Sequence, residues 1–300
     1  MREGWKAFWL AFAVTGAVLT PFIAGTALAA KSQKQPAAES ESNVVIAQPD
    51  EDNSLTVLAV TADEPQAFVL VRLDAGQNRL QILVIPGQSV VKNGQTSLTL
   101  AESYAAAGPA RAAALLGDTL GITIDRYLAA TGDTWAKLLS GAGTARVGLS
   151  GSMTAQQLSA AGMPGTVREW TPNAAHAFLA RLDAQNTELI TPFTAASARA
   201  VLWQGWARQS IERLPTLLPD NIRSQSGSLL TNFSGTDLLT LGETLEFLAN
   251  GKATPDANPI PGTWNAAAAR YEFDDASLDA VKALYSEAAT SDASEAESVP

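Results

Sequence analysis

Cysteine is absent from the 300 residues, and histidine occurs once. Without cysteine the chain can build no disulfide framework, no thiolate nucleophile and no thiolate metal site, so its core alone must hold the fold. The single histidine, His176, has no ligand partner or nucleophile near it in the sequence and reads as an ordinary capped helix residue. A surplus of positive charge is also lacking. Of the net −10, residues 54–286 contribute only 16 Lys and Arg minus 20 Asp and Glu, or −4. No Lys/Arg stripe is available to neutralise a phosphate backbone, which argues against a nucleic-acid partner. Gly141-Ala142-Gly143 and Gly148–Gly151 are not followed by Lys-Ser/Thr, so no phosphate-binding P-loop is indicated. Gly148-Leu149-Ser150-Gly151-Ser152 is no nucleophile elbow.

What is present falls into five segments. Residues 1–6 carry Arg2 and Lys6 and form a short cytoplasmic stub, followed by an uncharged run over 7–30. A helix of that length would cross about 30 Å of hydrocarbon, with Trp5 and Trp9 at the interface, and is expected to be a transmembrane signal-anchor. Ala27-Leu28-Ala29 leaves a cleavable signal peptide as the competing reading, although the run exceeds the usual signal core. Either way the body of the protein would lie outside the cytoplasm at the cell membrane. Residues 31–53 read as a flexible linker, 54–286 as one folded domain, and 287–300 as an acidic, disordered tail.

Within the domain, Leu55–Val60, Ala67–Leu73 and Leu80–Ile85 are apolar runs separated by turn-forming residues, the second and third forming a hairpin. Continuous rather than alternating apolarity predicts a sheet covered on both faces. Leu100–Leu120 reads as a helix interrupted at Gly108-Pro109, and Ile122–Ala129 as a strand. Helices are expected at Thr171–Leu182, Ala195–Leu214 and Thr236–Ala249, an edge strand at Arg270–Phe273 and a closing helix at Ser277–Ala288. The fold class is α/β: a three-layer helix/sheet/helix sandwich with a central mixed sheet.

The order of these pieces resembles the extracytoplasmic LytR-CpsA-Psr domain over about residues 54–286. The resemblance rests on Leu55–Val60, the hairpin ending in Ile85-Pro86, Tyr104–Pro109, Leu120-Gly121-Ile122-Thr123-Ile124-Asp125-Arg126-Tyr127, Asp237-Leu238-Leu239 and Pro261-Gly262. It implies an apolar pocket for a polyprenyl chain, arginines gripping a pyrophosphate, acidic side chains holding Mg²⁺, and transfer of lipid-linked glycopolymers to the cell wall. Forked guanidiniums and a divalent ion are what phosphoryl transfer needs.

At the motif positions, however, this chain departs from the family. Arg-Ser-Asp-Thr becomes Glu64-Pro65-Gln66-Ala67, Ile-Pro-Arg-Asp becomes Ile85-Pro86-Gly87-Gln88, and Arg-x-x-Arg-Gln keeps Arg199 but replaces the second arginine with Leu202. Each lost phosphate contact removes about 1.5–3 kcal/mol. The remaining candidates are Arg199, Asp63 and Trp203, with Arg72 and Arg111 as further cations for a rearranged site. Against them stand simpler roles: Arg199 stacking on Trp203, Trp203 in the core, Asp63 capping a turn, and Arg72 snorkelling at a sheet edge. The leading expectation is a non-catalytic, accessory member that binds a lipid or partner. The alternatives are a divergent Mg²⁺-dependent transferase and an interaction domain with a filled core.

Overall fold

Three strands with β-branched and leucine-rich cores set the frame: β1 (Ser54–Thr61), β2 (Ala67–Asp74) and β3 (Arg79–Ile85). β1 and β2 pair antiparallel with Val57 opposite Val71, and β2 and β3 pair antiparallel with Val71 opposite Ile82. Their turn is made locally, for Asp74 Oδ1 accepts the Gln77 N–H at 3.0 Å and Asn78 takes a left-handed φ of 51°. The computed structural model describes residues 54–163, 167–185 and 187–286. The expected stub, signal-anchor, linker and acidic tail therefore lie outside the described residues. No helix among the described residues is long and apolar enough to cross a membrane.

Leaving β3, the chain makes the ribbon β4 (Val90–Asn93) and β5 (Thr96–Thr99), then α1 (Leu100–Leu120). Thr99 and Glu102 form a capping box at the start of α1, and the helix kinks at Ala107 and Gly108, ahead of Pro109. This crossover brings β6 (Arg126–Ala130) parallel to β1, with Ala59 opposite Leu128. The expected strand from Ile122 begins only at Arg126. Gly121, at φ 67°, turns the chain so that Ile122 N–H bonds back to the Gly117 carbonyl, and Asp125 clasps the Thr56 N–H at 2.8 Å.

Next come α2 (Gly132–Leu138), the ribbon strand β7 (Ala145–Val147), α3 (Ala155–Ala160), its partner β8 (Arg168–Trp170), α4 (Pro172–Gln185) and α5 (Pro192–Ser210). The single helix expected to reach Leu214 is two, because Pro215 restarts the chain as α6 (Leu214–Ser224). The two-residue β9 (Leu230–Thr231) precedes α7 (Gly235–Asn250), capped by Ser234 and Asp237. The sheet is mixed and six-stranded in the order β10-β3-β2-β1-β6-β9, with β10 (Pro255–Pro259) parallel to β3. A strand bounded by two prolines was not expected, but an edge tolerates them. The expected edge strand Arg270–Phe273 (β12) instead pairs with β11 (Gly262–Asn265) in a separate ribbon, and α8 (Asp275–Ser286) closes the fold.

Strand alternation gives each face its own core. Leu58, Val60, Phe68, Leu70 and Ile85 face α1 and α8, while Ala59, Val69, Leu73, Ile82 and Val84 face α5, α6 and α7. A third cluster, around Trp170, Phe178 and Leu202, joins α3 and α4 to the outer side of α5.

Candidate functional site

The parallel pair β1 and β6 ends where α2 and α4 approach, and a cleft opens there whose mostly apolar wall carries Asp63, Glu64, His176, Asp183 and Arg199. Asp63, just past β1, accepts the Gly132 N–H at 2.6 Å on Oδ2. His176 Nε2 faces the same oxygen at 3.4 Å. A Cβ on Gly132 would come within 2.0 Å of His176 Nε2, so the imidazole holds this position only beside a glycine. Burial raises the Tyr104 phenol above its ordinary value, and the Asp63 charge adds to the effect. His176 is thus no plain surface residue of a helix; the sequence does not reveal it because its partner comes from a distant loop.

Asp183 lies two turns beyond His176 on α4 and meets Arg199 from α5. Arg199 is buried, and its guanidinium forks onto Asp183, with Nη1 donating to Oδ1 at 3.4 Å and Nη2 to Oδ2. The cation that the sequence offers to a phosphate is thereby neutralised within the protein. Arg199, Trp203 and Trp206 follow one face of α5 at helical spacing. Trp203 packs edge-on against Trp135, ring centres 5.9 Å apart, so the expected stacking partner of Arg199 is engaged elsewhere.

Beneath the cleft, between the sheet and α5, α6 and α7, lies an apolar cavity of about 110 Å³. Val57, Ala59, Val71, Leu73 and Leu128 form part of its sheet side. Trp135, Leu139, Trp203 and Trp206 border both spaces, floor of the one and roof of the other. The ionisable groups thus lie on the cleft side and an almost wholly apolar wall on the cavity side.

Arg72 and Arg111 do not join this site. Arg72 is buried against the α1/α8 side, where it donates to the Tyr285 carbonyl at 2.7 Å and pairs with Asp74 at 3.3 Å. It fastens the closing helix instead of snorkelling at an edge. Arg111, exposed on α1, donates to Asn93 Oδ1 at 2.7 Å and steadies the β4/β5 ribbon. The three guanidiniums are dispersed and form no common cationic centre.

No family model matches the chain, and no curated protein matches it in sequence. Solved structures do match its fold. A protein from Eubacterium siraeum described as a transcription regulator superposes with a TM-score of 0.63 at 18% identity, over 84% of this chain and 99% of that one. TagT from B. subtilis superposes at 0.59 with 15% identity over 80% and 92% of the two chains, and TagV from B. subtilis at 0.56 with 15% over 78% and 96%. TagT and TagV are LytR-CpsA-Psr proteins, and TagT has also been solved bound to LIIa-WTA. The fold of this chain is the LytR-CpsA-Psr fold.

The LytR-CpsA-Psr scaffold makes the motif departures concrete. Glu64, its peptide to Pro65 cis, is exposed at the cleft. Gly87, in place of the arginine, is buried with the Gln66 carbonyl 2.7 Å from where a Cβ would stand, so the backbone has closed over that position. Leu202, in place of the second helical arginine, is wholly buried in the third cluster. Asp63 holds the Gly132 amide and faces His176 with the same oxygen, and among the described residues no group of three His, Asp or Glu could hold a metal ion.

Proposed function

We propose that this chain is a membrane-anchored, extracytoplasmic LytR-CpsA-Psr protein that serves cell-wall glycopolymer assembly as a binding or accessory member and not as a phosphotransferase. It takes the hydrocarbon of a lipid carrier into the cavity below Trp203 and Trp206 and presents the head, or the attached glycan, at the cleft. The observation that carries this reading is the pairing of an apolar cavity of about 110 Å³ with a cleft whose buried cation is consumed by Asp183. Binding requires the first, whereas phosphoryl transfer requires a free cation that the second denies. The glycopolymer link is supported by TagT, which has been solved with a wall teichoic acid ligand.

The test is incubation of the full-length protein, purified from membranes, with Mg²⁺ and lipid-linked glycan, alongside native mass spectrometry. A co-purifying long-chain lipid without glycan transfer is the expected outcome. Transfer to peptidoglycan would overturn the non-catalytic reading, and a cavity that retains no apolar molecule would overturn the carrier reading.

A further inference from the structure

Two Asn-Gly pairs occur in the chain, Asn93-Gly94 and Asn250-Gly251, and both asparagines are exposed. Asparagine is among the chemically labile side chains, and it is least protected before glycine, where no Cβ shields the following backbone nitrogen. The fold treats that nitrogen differently in the two pairs. Gly251 continues the last turn of α7 with a helical φ of −71° and donates its N–H to the Phe247 carbonyl at 2.8 Å. Its own carbonyl accepts from Asn78 Nδ2 at 2.7 Å, so both sides of the residue are tied.

Asn93 and Gly94 stand instead at the tip of the β4/β5 ribbon. Asn93 closes the ladder opposite Thr96, and Gly94 is the first of the two loop residues between them, so its N–H lies outside the ladder. Gly94 has a left-handed φ of 62° and nothing within 4 Å of where a Cβ would stand. The carboxamide beside it is held from another element, for Arg111 Nη2 on α1 donates to Asn93 Oδ1 at 2.7 Å. The guanidinium therefore grips the oxygen that gains negative charge when Cγ is attacked, and not the nitrogen that would depart.

We propose that Asn93 is a site of spontaneous deamidation assisted by Arg111. The Gly94 nitrogen attacks Asn93 Cγ, the new C–N bond closes a succinimide ring, and the Cγ–Nδ2 bond breaks. Nδ2 leaves as ammonia, taking the proton that Gly94 gives up. Water then opens the ring: addition at Cγ gives aspartate, and addition at the backbone carbonyl carbon gives isoaspartate. Either product sets a carboxylate beside Arg111, so a neutral contact between ribbon and α1 becomes an ion pair. Isoaspartate also adds a methylene to the main chain and loosens the pairing with Thr96 at the ribbon tip.

The test incubates the full-length protein, folded and in urea, in ¹⁸O-labelled water at mildly alkaline pH, and follows both Asn-Gly peptides by mass spectrometry. In the folded protein Asn93 is expected to take up solvent oxygen about fivefold faster than Asn250, the factor that one backbone hydrogen bond on the Gly251 nitrogen holds back. In urea the two rates should converge. Arg111→Ala should slow conversion of Asn93 about threefold in the folded protein, as one exposed charge contact would, and leave the rate in urea unchanged. Arg111→Lys, which keeps the charge, should recover part of the loss. Equal rates at the two asparagines of the folded protein, or no conversion at Asn93, overturn the site. A folded rate untouched by Arg111→Ala overturns the assistance by Arg111.

Discussion

The two faces of the sheet are made by the same strands, yet the wholly apolar cavity lies beneath only one of them. Over Leu58, Val60 and Phe68, α1 and α8 press Leu116, Leu120 and Tyr285. Over Ala59, Leu73 and Ile82, α5 brings Ala196, Ala200 and Ala207, and the space the small side chains leave is bridged by indoles. Alternation along a strand therefore fixes which residues are covered but not how well they are packed. That is decided by side-chain size on the helix opposite.

Five substitutions in three groups would break or sharpen this contrast, and each can be followed by urea unfolding. The largest concerns the two buried arginines. Arg72→Met on the α1/α8 face leaves Asp74 buried without its partner and should cost about 3–5 kcal/mol. Arg199→Met leaves Asp183 at the rim of the cleft, where water can reach it, and should cost less, about 1–3 kcal/mol. Equal losses would mean that the cleft is as dry as the core.

Adding volume comes next. Ala112 on α1 is wholly buried and Ala207 on α5 borders the cavity. Ala112→Leu should cost about 1–3 kcal/mol by overpacking, whereas Ala207→Leu grows into open space and should cost below about 1 kcal/mol. The same Ala207→Leu protein should lose lipid binding. If both leucines are equally harmful, the cavity cannot accept a chain.

The smallest effect concerns how the cavity side is tied at its surface. Arg126 on β6 donates to Asp237 Oδ1 on α7 at 2.6 Å, and the Ser234 N–H reaches the other oxygen at 2.7 Å. The Arg126 hydrogen bond, then those from Ser234, hold the Asp237 carboxyl well below its ordinary 3.8. A folded value below the unfolded one means that the contribution is complete above pH about 4 and is lost as the pH falls further through the folded value. Because the pair is partly exposed, Asp237→Asn should cost only about 0.5–1 kcal/mol at pH 7. The gap from the wild-type protein should shrink below pH about 4; a gap of constant size down to pH 2 would place the effect elsewhere.

Much of the frame was legible because its signals are local. The apolar runs of β1, β2 and β3 and the Gly108-Pro109 interruption of α1 each act over a few residues. The elements that escaped notice depend on distant partners. β9 is two residues long and exists only against β6, and β10 reads as a proline-rich loop until β3 supports it. The site divided in the same way. Asp63, Arg199 and Trp203 could be picked out one at a time, but nothing in the sequence pairs Asp63 with His176 or Arg199 with Asp183. Arg72 and Arg111 stood as further cations beside Arg199 because strand and helix faces cannot be ranked by destination before the layers are assembled.

The close approach of Gly87 to the Gln66 carbonyl, 2.7 Å from any added Cβ, bears on what can be grafted at this place. The chain around Gln66 would have to withdraw before a side chain could enter, so Gly87→Arg alone meets a steric barrier before it can add any charge. The lock is a backbone contact rather than a missing functional group.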